Sequence, residues 1–159
     1  MNEIELELHD RGITDGFKLT NHEIIDFISW GFDVTPHEYQ VRFLEKCIRY
    51  KRVVAVWCRQ SGKSLSVAAF ISYKCLTEDN IRIIVVAPTQ RQSSELFRKV
   101  RNFITNSEIG KKFLEGETQT ELRFVNGSRA VALPCGPEGS SIRGFTADIL
   151  IIEEAQDVK

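Results

Sequence analysis

The run Cys58-Arg59-Gln60-Ser61-Gly62-Lys63-Ser64 ends in the G-K-S of a Walker A phosphate loop. Each residue type there has a use. Glycine at 62 lets the backbone approach a phosphate closely, and successive backbone N–H groups surround it at the positive end of a helix starting near Lys63. The Lys63 ammonium can reach β- and γ-phosphates, and the Ser64 hydroxyl can offer an oxygen to Mg²⁺. One position departs from the full pattern: where a glycine is usual five residues before Gly62, the chain has Trp57. Far downstream, Ile149-Leu150-Ile151-Ile152 runs into Glu153 and Glu154. An apolar strand ending in two carboxylates suits a Walker B element, in which Glu153 holds Mg²⁺ through water and Glu154 orients the attacking water as its base. Aspartate is the usual first acid, and the extra methylene of Glu153 still reaches a water of the metal's shell. Asp148 stands at the entry end of the same strand, away from that chemistry.

Five further candidate residues accompany these two motifs. Tyr39 and Gln40 pair an aromatic ring with an amide, which suits adenine by stacking and edge hydrogen bonds, although Tyr39 is equally a core residue. Arg59 lies inside the phosphate loop, where its guanidinium can pair with phosphate oxygens or with Glu154, or can be an ordinary surface charge. Arg143, in G-S-S-I-R-G-F, has room to move and suits an arginine finger acting in its own or a neighbouring subunit, with a solvated loop charge as the alternative. Gln90, after A-P-T, is placed to sense phosphate or DNA.

The elements that must position these residues follow from period and punctuation. Thr20 and Glu23 form a capping box before Ile24, Ile25, Phe27, Ile28 and Trp30, so a helix is expected to start there. A second helix follows Pro36, with Tyr39, Phe43, Leu44, Cys47 and Ile48 on one side. Residues 52–57, R-V-V-A-V-W, lack alternation and predict a strand covered on both faces of a parallel sheet. Residues 65–76 are apolar on nearly all sides and predict a buried helix. Residues 81–87 repeat the strand pattern, and a helix carrying Leu96, Phe97, Val100, Phe103 and Ile104 follows. Two strand-then-helix units imply a right-handed parallel α/β sheet. Residues 118–133 alternate around Asn126-Gly127 and predict a β-hairpin. A glycine-bearing loop, 134–147, then leads to the last strand, 149–152. Phosphate loop and acidic pair thereby both face the crevice at the carboxyl ends of the strands.

Composition sets the outer bounds. The chain has 159 residues, 42% apolar and 27% charged, which is the balance of one modest globular domain. No stretch approaches the roughly 20 apolar residues of a membrane span, and the acidic first ten residues are unlike a signal peptide, so a cytoplasmic setting is expected. Cys47, Cys58, Cys75 and Cys135 form no C-x-x-C pair and have no zinc-like histidine spacing. With 21 basic against 22 acidic groups, any nucleic-acid contact must be local or come from elsewhere.

Three stretches together, R-Q-S-G-K-S, V-V-A-P-T-Q-R-Q-S-S-E-L and G-S-S-I-R-G-F-T-A-D-I-L-I-I-E-E-A, resemble the N-terminal ATPase part of viral large terminase subunits of the tailed-phage type. The likeness runs from about residue 35 to residue 158. It implies an ASCE-type, RecA-like P-loop ATPase with ATP and Mg²⁺ as cofactors, a parallel sheet flanked by helices and a β-hairpin insertion. It also implies a motor that moves double-stranded DNA into a capsid in the host cell cytoplasm, as a homo-oligomeric ring on the portal protein, helped by a small terminase subunit. Arg59 and Arg143 take the sensing or finger positions. On this resemblance, residues 1–34 are an N-terminal helical extension and residues 35–159 a partial ATPase domain. The strand that follows Walker B in such sheets, and lies between the two Walker strands, is expected to be missing, so a fragment or split gene product is the expectation. A rival resemblance is to superfamily-one helicases, through E-E-A-Q-D. A third reading, from a different class, is a nucleotide-binding or assembly module without turnover.

Overall fold

The computed structural model describes residues 23–58, 60–135 and 144–157. In chain order these form α1 (Glu23–Phe32), α2 (Glu38–Arg49), α3 (Lys63–Thr77), β1 (Arg82–Ala87), α4 (Gln90–Thr105) and α5 (Glu108–Phe113). There follow β2 (Leu114–Glu117), β3 (Glu121–Phe124), β4 (Arg129–Pro134), β5 (Ile149–Ile152) and a 3₁₀ turn, Ala155–Asp157. The strands make one five-stranded sheet in the order β2-β3-β4-β1-β5. β1 lies parallel to both β4 and β5, whereas β3 is antiparallel to β2 and β4.

The main core lies on one face of the sheet. Ile83 and Val85 of β1 and Ala130 and Ala132 of β4 point into it, against Leu96, Phe97, Val100 and Ile104 of α4 and a largely buried α3. Helix α3 has buried residues from Ser66 to Leu76 almost without break, as expected of a helix with apolar residues all round. Each fully buried Leu, Ile or Phe in this core contributes roughly 1.5–3 kcal/mol relative to exposure, so α3 is held along its length. Its C-terminus is held as well. The Asn126 amide donates to the Cys75 and Glu78 carbonyls at 3.0 and 3.1 Å, and the Ser128 hydroxyl donates to Glu78 O at 2.6 Å. The β3–β4 turn thus satisfies carbonyls that the end of a helix leaves without partners.

Most expected elements form close to their expected bounds, but two differ in architecture. The hairpin at Asn126-Gly127 is present, and its second strand, β4, pairs directly with β1, so it is part of the main sheet and not an insertion. The sheet is consequently mixed. Residues 52–57 do not join it. The segment is unpaired, and Val54 and Val56 are 93% and 95% exposed. The physical reason lies at the sheet's edge: β5 pairs only with β1, and among the described residues no strand lies beyond it for residues 52–57 to pair with. A strand is stable only through its neighbours, so valine content alone does not make one. The capping box expected at Thr20 and most of the loop expected at 134–147 lie outside the described residues.

Candidate functional site

Helix α3 begins without a side-chain cap. Its N-cap is Gly62, in the left-handed conformation at φ 76°, which has no side chain to cap the helix. Those groups and the helix dipole present a positive end to any anion in front of them. Gln60 also has a positive φ, 61°, so the turn 60–62 places left-handed residues on both sides of Ser61. Turns of this kind can gather backbone N–H groups into an anion-binding concavity. A non-glycine residue in this region costs on the order of 1 kcal/mol, which the surrounding bonds offset at Gln60. Ser61 Oγ donates to Cys58 O at 2.8 Å, and the Tyr39 hydroxyl donates to Ser61 O at 2.9 Å.

Helix α2 supports this turn from behind. Gln40 is buried, its Oε1 accepting the His37 N–H at 2.8 Å and its Nε2 lying 3.5 Å from Ser61 O. A Cβ added to Gly62 would stand 2.4 Å from that same Nε2, so the amide fills the space that glycine leaves open. Trp57, the residue in place of the usual glycine, has its own partners. Its ring meets Tyr39 and Phe43 edge-on at 5.4 and 5.2 Å, pinning the approach to the turn against α2. Tyr39 remains about half exposed and stacks on His37 at 5.6 Å.

The acidic pair arrives from the other side. Glu153 continues the β5 ladder, its N–H donating to Val86 O at 2.8 Å. Glu154 then turns with φ 50°, a left-handed conformation uncommon for a residue with a side chain. Lys63 Nζ lies 2.7 Å from Glu154 Oε1 and 3.4 Å from Glu153 Oε1. The second oxygen of Glu154 accepts from Gln156 Nε2 at 2.6 Å. Burial works against the charge on Lys63, but the hydrogen bond it donates to Glu154 and the charges of both carboxylates outweigh it, holding its pKa above the ordinary lysine value. Asp148 is indeed at the far end of β5, where it accepts the Arg82 N–H at 2.8 Å.

Of the residues singled out from sequence, Lys63, Glu153 and Glu154 are thus brought together, with Ser61, Gly62 and Ser64 beside them and Tyr39 and Gln40 behind the turn. Cys58 is exposed at the start of the turn, its carbonyl accepting from Ser61. Gln90 sits at the first turn of α4 and donates to Ser94 Oγ at 3.1 Å. Arg59 and Arg143 lie outside the described residues. Two partners were not singled out. Gln156 had a signal in its place two residues after Glu154. Lys99 of α4, which donates to Ser64 Oγ at 3.4 Å, had none, being one of 21 basic residues and far from the loop in sequence.

Ser64 Oγ, Glu153 and the neighbouring Glu154 are hard oxygen donors, the set that suits Mg²⁺ shared with phosphates and water, and they do not form a closed protein cage. Among the described residues there is no group of three or more His, Cys, Asp or Glu side chains that could hold a metal by itself. No described helix is long and apolar enough to cross a membrane.

No family model matches the chain, and no curated protein matches it. Among solved structures it is similar to the crystal structure of the HK97 bacteriophage large terminase, with a TM-score of 0.72 at 13% identity. The likeness covers 85% of this chain and 31% of that one, so the chain spans about a third of the length of the protein it matches. What the two share, at that level of identity, is a mixed α/β fold with a helix-backed sheet, and this chain is therefore similar in fold to a phage large terminase.

Proposed function

We propose that the chain is the nucleotide-binding part of a large-terminase ATPase, a P-loop module that couples ATP hydrolysis to movement of double-stranded DNA into a viral capsid. One observation carries this reading: the Lys63 ammonium, at the uncapped head of α3, lies within 3.4 Å of both carboxylates that end β5. A cation and two acids meeting at the carboxyl ends of parallel strands is the arrangement that phosphoryl transfer uses. The HK97 likeness supports the same reading at the level of fold.

In this reading the turn 58–64 holds the β-phosphate on backbone N–H groups, and Lys63 leaves Glu154 to reach the β- and γ-phosphates. Glu154 Oε1, so released, accepts a proton from the attacking water while Gln156 keeps the carboxylate oriented through Oε2. Ser64 and Glu153 hold Mg²⁺, which when bound offsets the negative charge of the triphosphate beside two carboxylates and one lysine. The exposed ring of Tyr39 takes adenine, and Gln40 acts through the turn it supports. Arg59 and Arg143 are assigned to γ-phosphate sensing and an arginine-finger contact. Double-stranded DNA, a portal protein, a small terminase subunit and further copies of the protein in a ring are the partners that follow, in the host cytoplasm.

Titration of the chain with ATP in the presence of Mg²⁺ tests the site. Lys63→Ala is expected to lower affinity at least tenfold, since it removes a charge-assisted contact; unchanged affinity would remove the basis for the reading. A second reading, a nucleotide-binding module without turnover, is favoured by the unpaired state of residues 52–57, where the approach to the turn is held against α2 by the ring contacts of Trp57 in place of a strand ladder. This chain by itself is expected to bind ATP but hydrolyse it poorly. Sustained multiple turnover by the isolated chain excludes the second reading, and portal-independent unwinding of duplex DNA would favour a helicase over both.

A further inference from the structure

The head of α3 is approached by a second cation from a different helix. Lys99, on the exposed side of α4, extends to donate to Ser64 Oγ at 3.4 Å. Its local alternative is Glu95, one turn earlier in the order that favours an i,i+4 ion pair. No ion pair joins the two; the Lys99 ammonium is bonded instead to the hydroxyl that opens α3. Lys63, Lys99 and the uncapped N-terminus of α3 therefore put three sources of positive potential around the turn 60–64. Lys63 is already engaged by two carboxylates, whereas Lys99 is held by one neutral hydroxyl, so Lys99 is the cation more readily given up to an incoming anion.

We propose that Lys99 is a second phosphate-contacting residue, which binds a nucleoside triphosphate directly and stands in for the divalent ion at Ser64 when that ion is absent. This rests on the nucleotide-binding reading of the site. The physical basis is competition for one oxygen. An ammonium and Mg²⁺ cannot both sit on Ser64 Oγ, because like charges at that separation repel strongly. With Mg²⁺ present, Lys99 must move off Ser64, and phosphate oxygens are the nearest strong acceptors that a bound triphosphate offers it. With Mg²⁺ absent, it supplies part of the countercharge that the metal would have given.

The test is ATP affinity, measured by calorimetry with Mg²⁺ and separately with excess chelator, for the parent chain, Lys99→Met, Lys99→Arg and Arg98→Met. Methionine keeps the apolar stem while removing the charge, and Lys99 is exposed, so the variant is expected to fold. Lys99→Met is expected to lose roughly five- to tenfold in affinity in chelator, a fold-change suited to one partly exposed charge-assisted hydrogen bond. The loss should be smaller with Mg²⁺, and Lys99→Arg should restore most of it. Arg98→Met removes an exposed charge from the adjacent position and is expected to leave affinity within about twofold, since exposed charges are well screened. If Lys99→Met binds ATP as the parent does in chelator, or if Arg98→Met loses as much, the proposal is overturned while the nucleotide site stands. If the parent chain does not bind ATP and Lys63→Ala changes nothing, the nucleotide reading itself fails and Lys99 falls with it.

Discussion

At position 62 the backbone and its surroundings both require glycine. Its φ of 76° is unfavourable for any residue with a Cβ, and that Cβ would meet the buried Gln40 amide at 2.4 Å. Gly62→Ala is therefore expected to destabilise the chain by about 1–2 kcal/mol in urea unfolding and to weaken ATP binding through the displaced turn. The Lys63–Glu154 contact makes a different prediction, in pH. The pKa of Lys63 is raised in the folded chain, so its contribution to stability is complete below the unfolded-state lysine pKa and is lost as pH rises through the folded value. In melting curves taken from about pH 8 to pH 11, the advantage of the parent chain over Lys63→Met should be constant at first and shrink at the alkaline end. An advantage that grew with pH would mean that the ion pair is not what holds Lys63.

Among the elements, the sharpest contrast is between β1 and the segment 52–57, which have similar compositions and opposite fates. Val85 is fully buried between β4 and β5, whereas Val54 and Val56 are almost fully exposed. Val85→Ala should cost about 2 kcal/mol, while Val54→Asp should change stability by less than about 0.5 kcal/mol. Hydrogen exchange gives an independent check: amides of residues 53–57 should exchange far faster than those of residues 83–87, which bond into the sheet. Strong protection of 53–57 in the isolated chain would show that the segment has found a strand partner.

For the molecule as a whole, the outer side of β5 has the largest consequence. Among the described residues its backbone pairs only towards β1, and Leu150 and Ile152 are 54% and 46% exposed beside it. Edges of this kind recruit further strands, including those of other copies. The chain should accordingly self-associate as concentration rises, and Leu150→Lys should suppress this in light scattering without lowering the melting temperature appreciably. An unchanged scattering profile would place the association elsewhere.

How much of this was legible beforehand differed by element. Helices α2, α3 and α4, strand β1, the Asn126-Gly127 hairpin and β5 follow from period and turn chemistry, because each is decided by contacts a few residues apart or by a simple apolar surplus. The meeting of Lys63 with Glu153 and Glu154 was expected from two strands ending at one crevice, but only the acids come from a strand, β5; Lys63 reaches them from the head of α3, with no strand before it. The loss of the strand at 52–57 was not visible locally, because a valine run looks the same whether or not a neighbour exists to pair with it. Nor was the Ser64–Lys99 contact, which depends on how α3 and α4 pack against each other. Residue types and spacing by themselves determined which groups could handle a phosphate; the packing of helices on the sheet, and the edge at which that sheet stops, decided which groups stand together and which segment is left without a partner.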